Sequence, residues 1–190
     1  MQFNFVAFDD LVPYLSKFRQ TFPNVENFEF IETDINCLGQ LNALALVQGI
    51  NSLYIGEEGN PIYHKNWKHY AIYRLEHWGI QYINNFEFSD EDVLEANKAY
   101  GSLGELAIMV LPQSQISSLI KKLDLGSCVK ESSSQYESTA VDLLSLIKDQ
   151  NIKEIIAKES LQYKPKASID PETEAKNLKA LENLLEVQWC

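Results

Sequence analysis

The strongest constraint on this fold is the alternation of short segments of two-residue apolar period with longer segments of helical period. Alternating segments begin near Phe3 and at Asn27, and each predicts a strand. The segment between them predicts a helix of about 12 residues, with Asp9 or Asp10 near its start and an apolar stripe at helical spacing. That stripe consists of Leu11, Leu15, Phe18 and Phe22.

The middle of the chain continues this alternation. Residues 37–48 predict a buried helix that ends at Gly49, which suits a left-handed helix end. Ser89 begins a capping box, so a further helix is expected from there to Tyr100. The remaining elements predicted here are a hairpin (52–55 and 61–64), a helix (66–78), two strands (80–88 and a central one, 105–111) and helices (114–123 and 139–148).

This order of elements predicts an α+β fold. We expect a mixed or antiparallel sheet of about five to six strands packed with helices, because hairpins and crossovers are both indicated. Residues 1–126 form the predicted body, and the Ser-rich residues 127–138 form a linker or loop. Residues 139–190 are expected to be a mainly helical annex packed on the body. No internal repeat is evident.

The net charge restricts the class of partner. The chain carries 27 acidic and 16 basic residues and a formal charge of −11. Direct binding to nucleic acid is not expected, because affinity for a phosphate backbone depends on Lys and Arg. A basic protein is the expected partner, since the acidic field speeds its encounter. The alternative interpretation is that the acidity only serves solubility.

The acidic excess is concentrated near the start of the chain. Residues 1–60 contain eight acidic and two basic residues, whereas residues 151–190 contain seven and six. An aromatic-rich segment follows, and aromatic residues often anchor interfaces. We therefore predict a partner-binding surface, with a solvated face and ordinary core packing as the alternatives. Its predicted members are Glu29, Glu32, Asp34, Glu57, Glu58, Tyr63 and Trp67.

Few residues suggest catalysis. His64, His69 and His77 offer a metal or general-base site in combination with Tyr or Glu, but no metal-binding spacing such as HExxH is present. Nucleotide-binding loops and nucleophile elbows are also missing from the sequence. We therefore expect no catalytic residue, cofactor or metal, and keep a small enzyme built around residues 64–77 as an alternative.

The sequence also bears on compartment. No stretch of about 18 apolar residues is present, so no membrane span and no membrane partner are expected. The first residues lack the features of a secretory signal, and three widely spaced cysteines do not suggest a disulfide framework. A cytoplasmic location is expected.

These observations favour a non-enzymatic binding protein. The leading hypothesis is a bacterial toxin immunity protein that neutralises a basic toxin, such as a nuclease, because a negative surface can cover the cationic surface that such a toxin needs. A DNA-mimicking inhibitor of a nucleic-acid enzyme is the alternative binder. The sequence does not determine the oligomeric state.

Overall fold

The computed structural model describes residues 1–123, 147 and 149–165 of the protein. The strands are β1 (Gln2–Asn4), β2 (Asn27–Ile31), β3 (Ser52–Ile55), β4 (Tyr82–Ile83) and β5 (Phe86–Glu87). The α-helices are α1 (Phe8–Thr21), α2 (Trp67–Leu75), α3 (Asp90–Val110), α4 (Gln113–Lys122) and α5 (Gln150–Ser160). Short 3₁₀ helices cover Leu38–Leu46, Pro61–His64 and Glu76–Trp78.

The five strands form one mixed sheet in which spatial order follows chain order. β1 to β4 run parallel, and β5 returns antiparallel beside β4. The turn between β4 and β5 is formed by Asn84 and Asn85, whose φ angles of +48° and +65° suit a tight hairpin. This sheet, packed with helices, confirms the predicted α+β class.

The parallel strands belong to a repeated structural unit that inspection of the sequence did not reveal. Phe28, Leu53 and Ile83 occupy matching positions on adjacent strands. Each is preceded three residues earlier by another apolar residue, namely Val25, Ile50 and Ile80. β1, β2 and β3 are each followed by helical chain that returns behind the sheet to the next parallel strand. We number these units one to four after the strands β1 to β4 that begin them.

The core lies between the sheet and the returning helical segments. Phe30 of β2 stacks on Phe3 at 5.3 Å between ring centroids and meets Phe8 of α1 edge-on at 5.5 Å. Leu44 from the 3₁₀ helix of the second unit and Trp67 from α2 are also buried in this core. Alternating strand residues point inward, so the opposite face of the sheet is left to solvent.

The predicted hairpin at 52–64 is wrong. Its first half is β3, but Pro61–His64 is a 3₁₀ helix and pairs with no strand among the described residues. The reason is the burial of Asn60 and Ile62, which are 1% and 0% exposed. Because these side chains are buried in the core, the chain passes behind the sheet and does not fold back beside β3.

The predicted strand at 105–111 is also wrong, because α3 continues through Gly101 to Val110. The residues Glu105 to Met109 are mostly strong helix formers, and one side of the helix is buried through Ile108 against α5. A single glycine therefore weakens this helix without ending it.

Several other predictions agree with the structure. α1, α2 and α4 lie where helical spacing placed them. Ser89 and Asp92 form the expected capping box at the start of α3. Gly49 has the expected left-handed φ of +67°, although the preceding helix is a 3₁₀ helix that ends at Leu46.

The predicted linker 127–138, the helix at 139–148 apart from Ile147, and residues 166–190 of the predicted annex lie outside the described residues. The domain boundaries near residues 126 and 139 stay predictions. The described part of the predicted annex includes α5, which packs on α2, α3 and α4. No helix in the described ranges combines the length and the apolar character needed to cross a membrane.

Candidate interaction surface

The exposed face of the sheet is defined by the alternation of buried and solvent-facing residues. In β2, Phe28 and Phe30 are buried while Asn27 and Glu29 are exposed. β3 repeats the pattern, since Leu53 and Ile55 are buried and the alternating residues are half-buried. The outward side chains therefore belong to one continuous surface across the strands.

Strand register arranges these outward residues in two rows across the sheet. One row runs from Gln2 of β1 through Glu29 of β2 to Tyr54 of β3. The second row starts on β2 two residues before Glu29. It consists of Asn27, Ser52, Tyr82 and Glu87. Both rows combine acidic, amide and tyrosine side chains, which offer hydrogen bonds and aromatic contact area together.

The acidic loops lie at the carboxyl ends of β2 and β3. The amide of Glu32 donates to the carbonyl of Glu58 at 3.2 Å, and the amide of Asp34 donates to the carbonyl of Gly59 at 2.9 Å. The two loops are therefore side by side, and the structure brings four predicted acidic residues together. Asp34, Glu57 and Glu58 are exposed, and Glu32 is half-buried. Glu29 precedes them on the exposed face of β2.

A buried asparagine holds these two loops in place. The Asn60 side-chain oxygen accepts from the amides of Thr33 and Ile35, at 3.3 and 3.1 Å, and from the Thr33 hydroxyl at 2.8 Å. Its amide nitrogen donates to the carbonyls of Phe30, at 3.3 Å, and Gly56, at 3.0 Å. One amide group thus satisfies polar backbone groups on two consecutive units.

Asn84 repeats this arrangement one unit later. Its side-chain oxygen accepts from the amide of Ile55 at 2.8 Å, and its side-chain nitrogen donates to the Ile55 carbonyl at 3.1 Å. Because buried backbone groups need partners, these contacts fix the spacing of the third and fourth units. The buried side chains of Asn60 and Asn84 therefore help to keep the spacing between strands regular, and this spacing sets the positions of the outward side chains.

The two aromatic residues predicted for the surface are placed differently. Tyr63 is half-buried in the 3₁₀ helix after β3, and its ring meets His64 edge-on. Trp67 is the first residue of α2 and is only 1% exposed, so it contributes to the core. Trp67 is therefore not part of the exposed surface.

The three histidines do not converge. His64 is exposed, whereas the Nδ1 of His69 is 2.8 Å from Asn66 Oδ1 and its Nε2 is 3.6 Å from Glu95. His77 points instead toward α5. In the described part of the chain, no three His, Cys, Asp or Glu side chains are grouped so that they could hold a metal ion.

The partner of His77 is a buried carboxylate on α5. Glu159 Oε1 accepts from Arg74 Nη1 at 2.6 Å and from Trp78 Nε1 at 2.9 Å, and it lies 3.0 Å from His77 Nε2. Burial opposes ionisation of Glu159, but the hydrogen bond with His77 and the charge of Arg74 prevail and hold its pKa well below the usual range. This arrangement, which we call the Glu159 cluster, attaches α5 to α2.

Further contacts extend this attachment. Lys158 Nζ lies 3.3 Å from Glu76 Oε2 and 5.3 Å from the centre of the Tyr73 ring, a distance suited to a cation–π contact. Beyond α5, the Tyr163 hydroxyl donates to Asp9 Oδ1 at 2.8 Å. Burial and the adjacent carboxylate raise the pKa of Tyr163, so it stays a hydrogen-bond donor. The segment after α5 thereby contacts the first unit.

A cavity of about 710 Å³ lies between α3 and α5. Tyr73, Ile108 and Ala157 contribute to its wall, and Lys153 and Glu154 also line it. Gly101 of α3 leaves open space here, because a methyl group at this position would meet nothing within 4 Å. Gly104 differs, since a methyl group there would lie 2.5 Å from the Tyr73 hydroxyl.

Sequence reasoning missed the residues that organise this surface. Asn60 was placed in an acidic hairpin loop and Asn84 in a longer strand, and Glu159 was given no role. The available signal was a polar residue near the end of each strand, together with the apolar residues at Val25, Ile50 and Ile80. Nothing local in the sequence marks Glu159, because its partners are about 80 residues earlier.

Comparison with known proteins agrees with the repeated unit. The chain is 36% identical over 121 residues to the mouse and human proteins named leucine-rich repeat-containing protein 49. Each match covers 63% of this chain but only 18% of the relative, so the chain spans less than a fifth of their length. No family model and no solved structure matches.

The relatives overturn the hypothesis of a bacterial toxin immunity protein, because they are animal proteins named for leucine-rich repeats. In such repeats, apolar residues alternate along a strand, an Asn or Cys follows, and a helix or 3₁₀ segment returns. Residues 25–35 have a similar pattern, with Val25, Phe28, Phe30 and Ile35 as the apolar positions and Thr33 in place of the asparagine. Residues 25–35 thus have a sequence pattern similar to that of such repeats.

Proposed function

We propose that this chain is a repeat-type binding module that holds a basic segment of a partner protein on the exposed face of its sheet. The observation that carries the proposal is the sheet itself, whose parallel strands present two rows of outward side chains. Stacked repeats create extended surfaces of this kind, on which proteins commonly bind partners. The name of the animal relatives supports the same class of architecture.

Charge supports the choice of a basic partner. Glu29 stands in the first row beside Tyr54, and the exposed acids Asp34, Glu57 and Glu58 lie at the end of the same strands. Lys and Arg side chains can pair with these carboxylates and stack on tyrosine rings. We further propose a cytoplasmic site of action, which the half-buried free thiol of Cys37 supports.

The test uses a fluorescent Lys/Arg-rich peptide and its Glu-rich counterpart as probes. We expect the basic peptide to bind and to shift the backbone NMR signals of β2 and β3, including Glu29 and Tyr54. Replacing Glu29 and Glu58 by Lys is expected to weaken binding about tenfold, since two attractive charges become repulsive.

The matched control reverses two exposed acids on α3, Glu91 and Glu95, and is expected to bind normally. Equal affinity for the acidic peptide, or signal changes confined to α3 and α5, would contradict the proposal.

A further inference from the structure

The first unit ends in an open strand edge. β1 pairs with β2 on one side and has no neighbour on the other among the described residues. The amide of Glu29 donates to the Met1 carbonyl and the amide of Phe5 donates to the Ile31 carbonyl. Because peptide groups alternate along a parallel strand, the amides and carbonyls of Gln2 and Asn4 face the open side. An edge of this kind is a ready site for another strand.

The outward side of α1 continues this open end. Arg19 of α1 donates to the carbonyl of Val25, just before β2, at 3.4 Å and lies against Gly49 of the second unit. Phe18 stacks on Phe3 of β1 at 5.7 Å between ring centroids. The side of α1 opposite Arg19 therefore faces away from the second unit. That side carries Asp10, Tyr14, Lys17 and Thr21, whose spacing of four, three and four residues forms one stripe.

Exposed aromatic side chains accumulate at this end of the molecule. Phe5 is 76% exposed, Tyr14 is 60% exposed and Phe22 is 42% exposed. Exposed aromatic rings of this size are typical of surfaces that another molecule covers. Phe5 directly follows Asn4 on the open edge, and Tyr14 and Phe22 belong to the helix of the same unit, so the strand edge and the exposed rings point to the same docking surface.

We propose that two copies of this chain associate through the first unit, with β1 antiparallel to β1 of the second copy. Gln2 and Asn4 of the two copies then pair across a two-fold axis beside Phe3, and the two sheets become one. The same axis sets the two α1 helices antiparallel, because a two-fold contact is self-complementary.

Charge on the stripe selects a second copy as the occupant. Asp10 and Lys17 lie on either side of Tyr14. In an antiparallel pair, Tyr14 meets Tyr14 of the second copy, and each Asp10 faces the other copy's Lys17. The contact is attractive at both ends, whereas a parallel pair would place like charges together.

The test is a charge exchange followed by sedimentation velocity of the full chain across a dilution series. We expect the unmodified chain to dimerise. Asp10→Lys and Lys17→Asp are each expected to weaken the dimer about tenfold or more, since each change creates two repulsive pairs. An equimolar mixture of the two variants is expected to regain the dimer, because every facing pair is again of opposite sign.

Two controls make the same charge changes on α3, Glu91→Lys and Lys98→Asp, at exposed positions. They are expected to keep the wild-type mass, and circular dichroism checks that all variants are folded. A wild-type monomer at every concentration overturns the proposal. So does a dimer that survives both variants, or a mixture that stays monomeric. Protection of the Gln2 and Asn4 amides from exchange in a monomer would assign the edge to another occupant.

Discussion

Between β2 and β3 the buried polar contacts are made by the neutral amide of Asn60, whereas between α2 and α5 they are made by the carboxylate of Glu159. Asn60 and its partners are at most 30 positions apart in the sequence, whereas Arg74 and Glu159 are 85 positions apart. The repeated end of the molecule is thus held by contacts between neighbouring units, whereas the helical end combines apolar packing of α5 on α3 and α4 with long-range ionic contacts. The two ends are expected to differ in their response to mutation and to pH.

The largest expected effect comes from removing the carboxylate of the Glu159 cluster. Glu159→Ala leaves the buried guanidinium of Arg74 without its carboxylate partner, which is expected to lower the free energy of unfolding by about 3–5 kcal/mol. Urea unfolding measures this loss, and hydrogen exchange is expected to accelerate first in α5. The exposed Glu154 on the same helix provides the control, Glu154→Ala. Equal effects of the two substitutions would contradict the role of the cluster.

The same carboxylate makes the helical end sensitive to acid. The pKa of Glu159 is lower in the folded chain than its ordinary value of 4.5, so its ionised form stabilises the fold. This contribution is complete above the ordinary value and is lost as the pH falls below it toward the folded pKa. Protection of the α5 amides, after correction for slower chemical exchange at low pH, is therefore expected to fall on acidification before protection in β2 and β3, and this difference should disappear in Glu159→Ala.

A smaller effect is expected at the repeated end. Asn60→Ala leaves the buried amide of Ile35 and the carbonyl of Gly56 without partners, at a cost of about 3 kcal/mol. Asn84→Gly tolerates the left-handed φ of +48° and removes the contacts to Ile55, so about 2 kcal/mol is expected. The exposed Asn24→Ala is the control. Thermal unfolding at neutral and acid pH is the measurement, and the Asn60 loss is expected to be the same at both, unlike that of Glu159.

This contrast explains which parts of the fold were predictable. Apolar period alone placed α1, β2 and α2, because each buries a local stripe or alternation. The repeat was missed because successive units differ in length and because Thr33 occupies the position at which leucine-rich repeats carry Asn or Cys. The strand predicted at 105–111 failed because an apolar run fits a buried helix as well as a strand. A buried acid such as Glu159 has no local signature, since its environment comes from a distant helix.

The smallest expected effects separate two glycines of α3, where the repeated end meets the helical end. Gly104→Ala would place a methyl group 2.5 Å from the Tyr73 hydroxyl and 2.9 Å from Ala157, so a loss of about 1–3 kcal/mol is expected from overpacking. Gly101→Ala meets nothing within 4 Å and is expected to stabilise the helix by about 0.5–1 kcal/mol. Opposite shifts of the melting temperature would support tight docking of α5 at Gly104 beside an open cavity at Gly101. Stabilisation by both substitutions would mean that α3 and α5 are not in close contact at Gly104, and destabilisation by both would contradict the open space at Gly101.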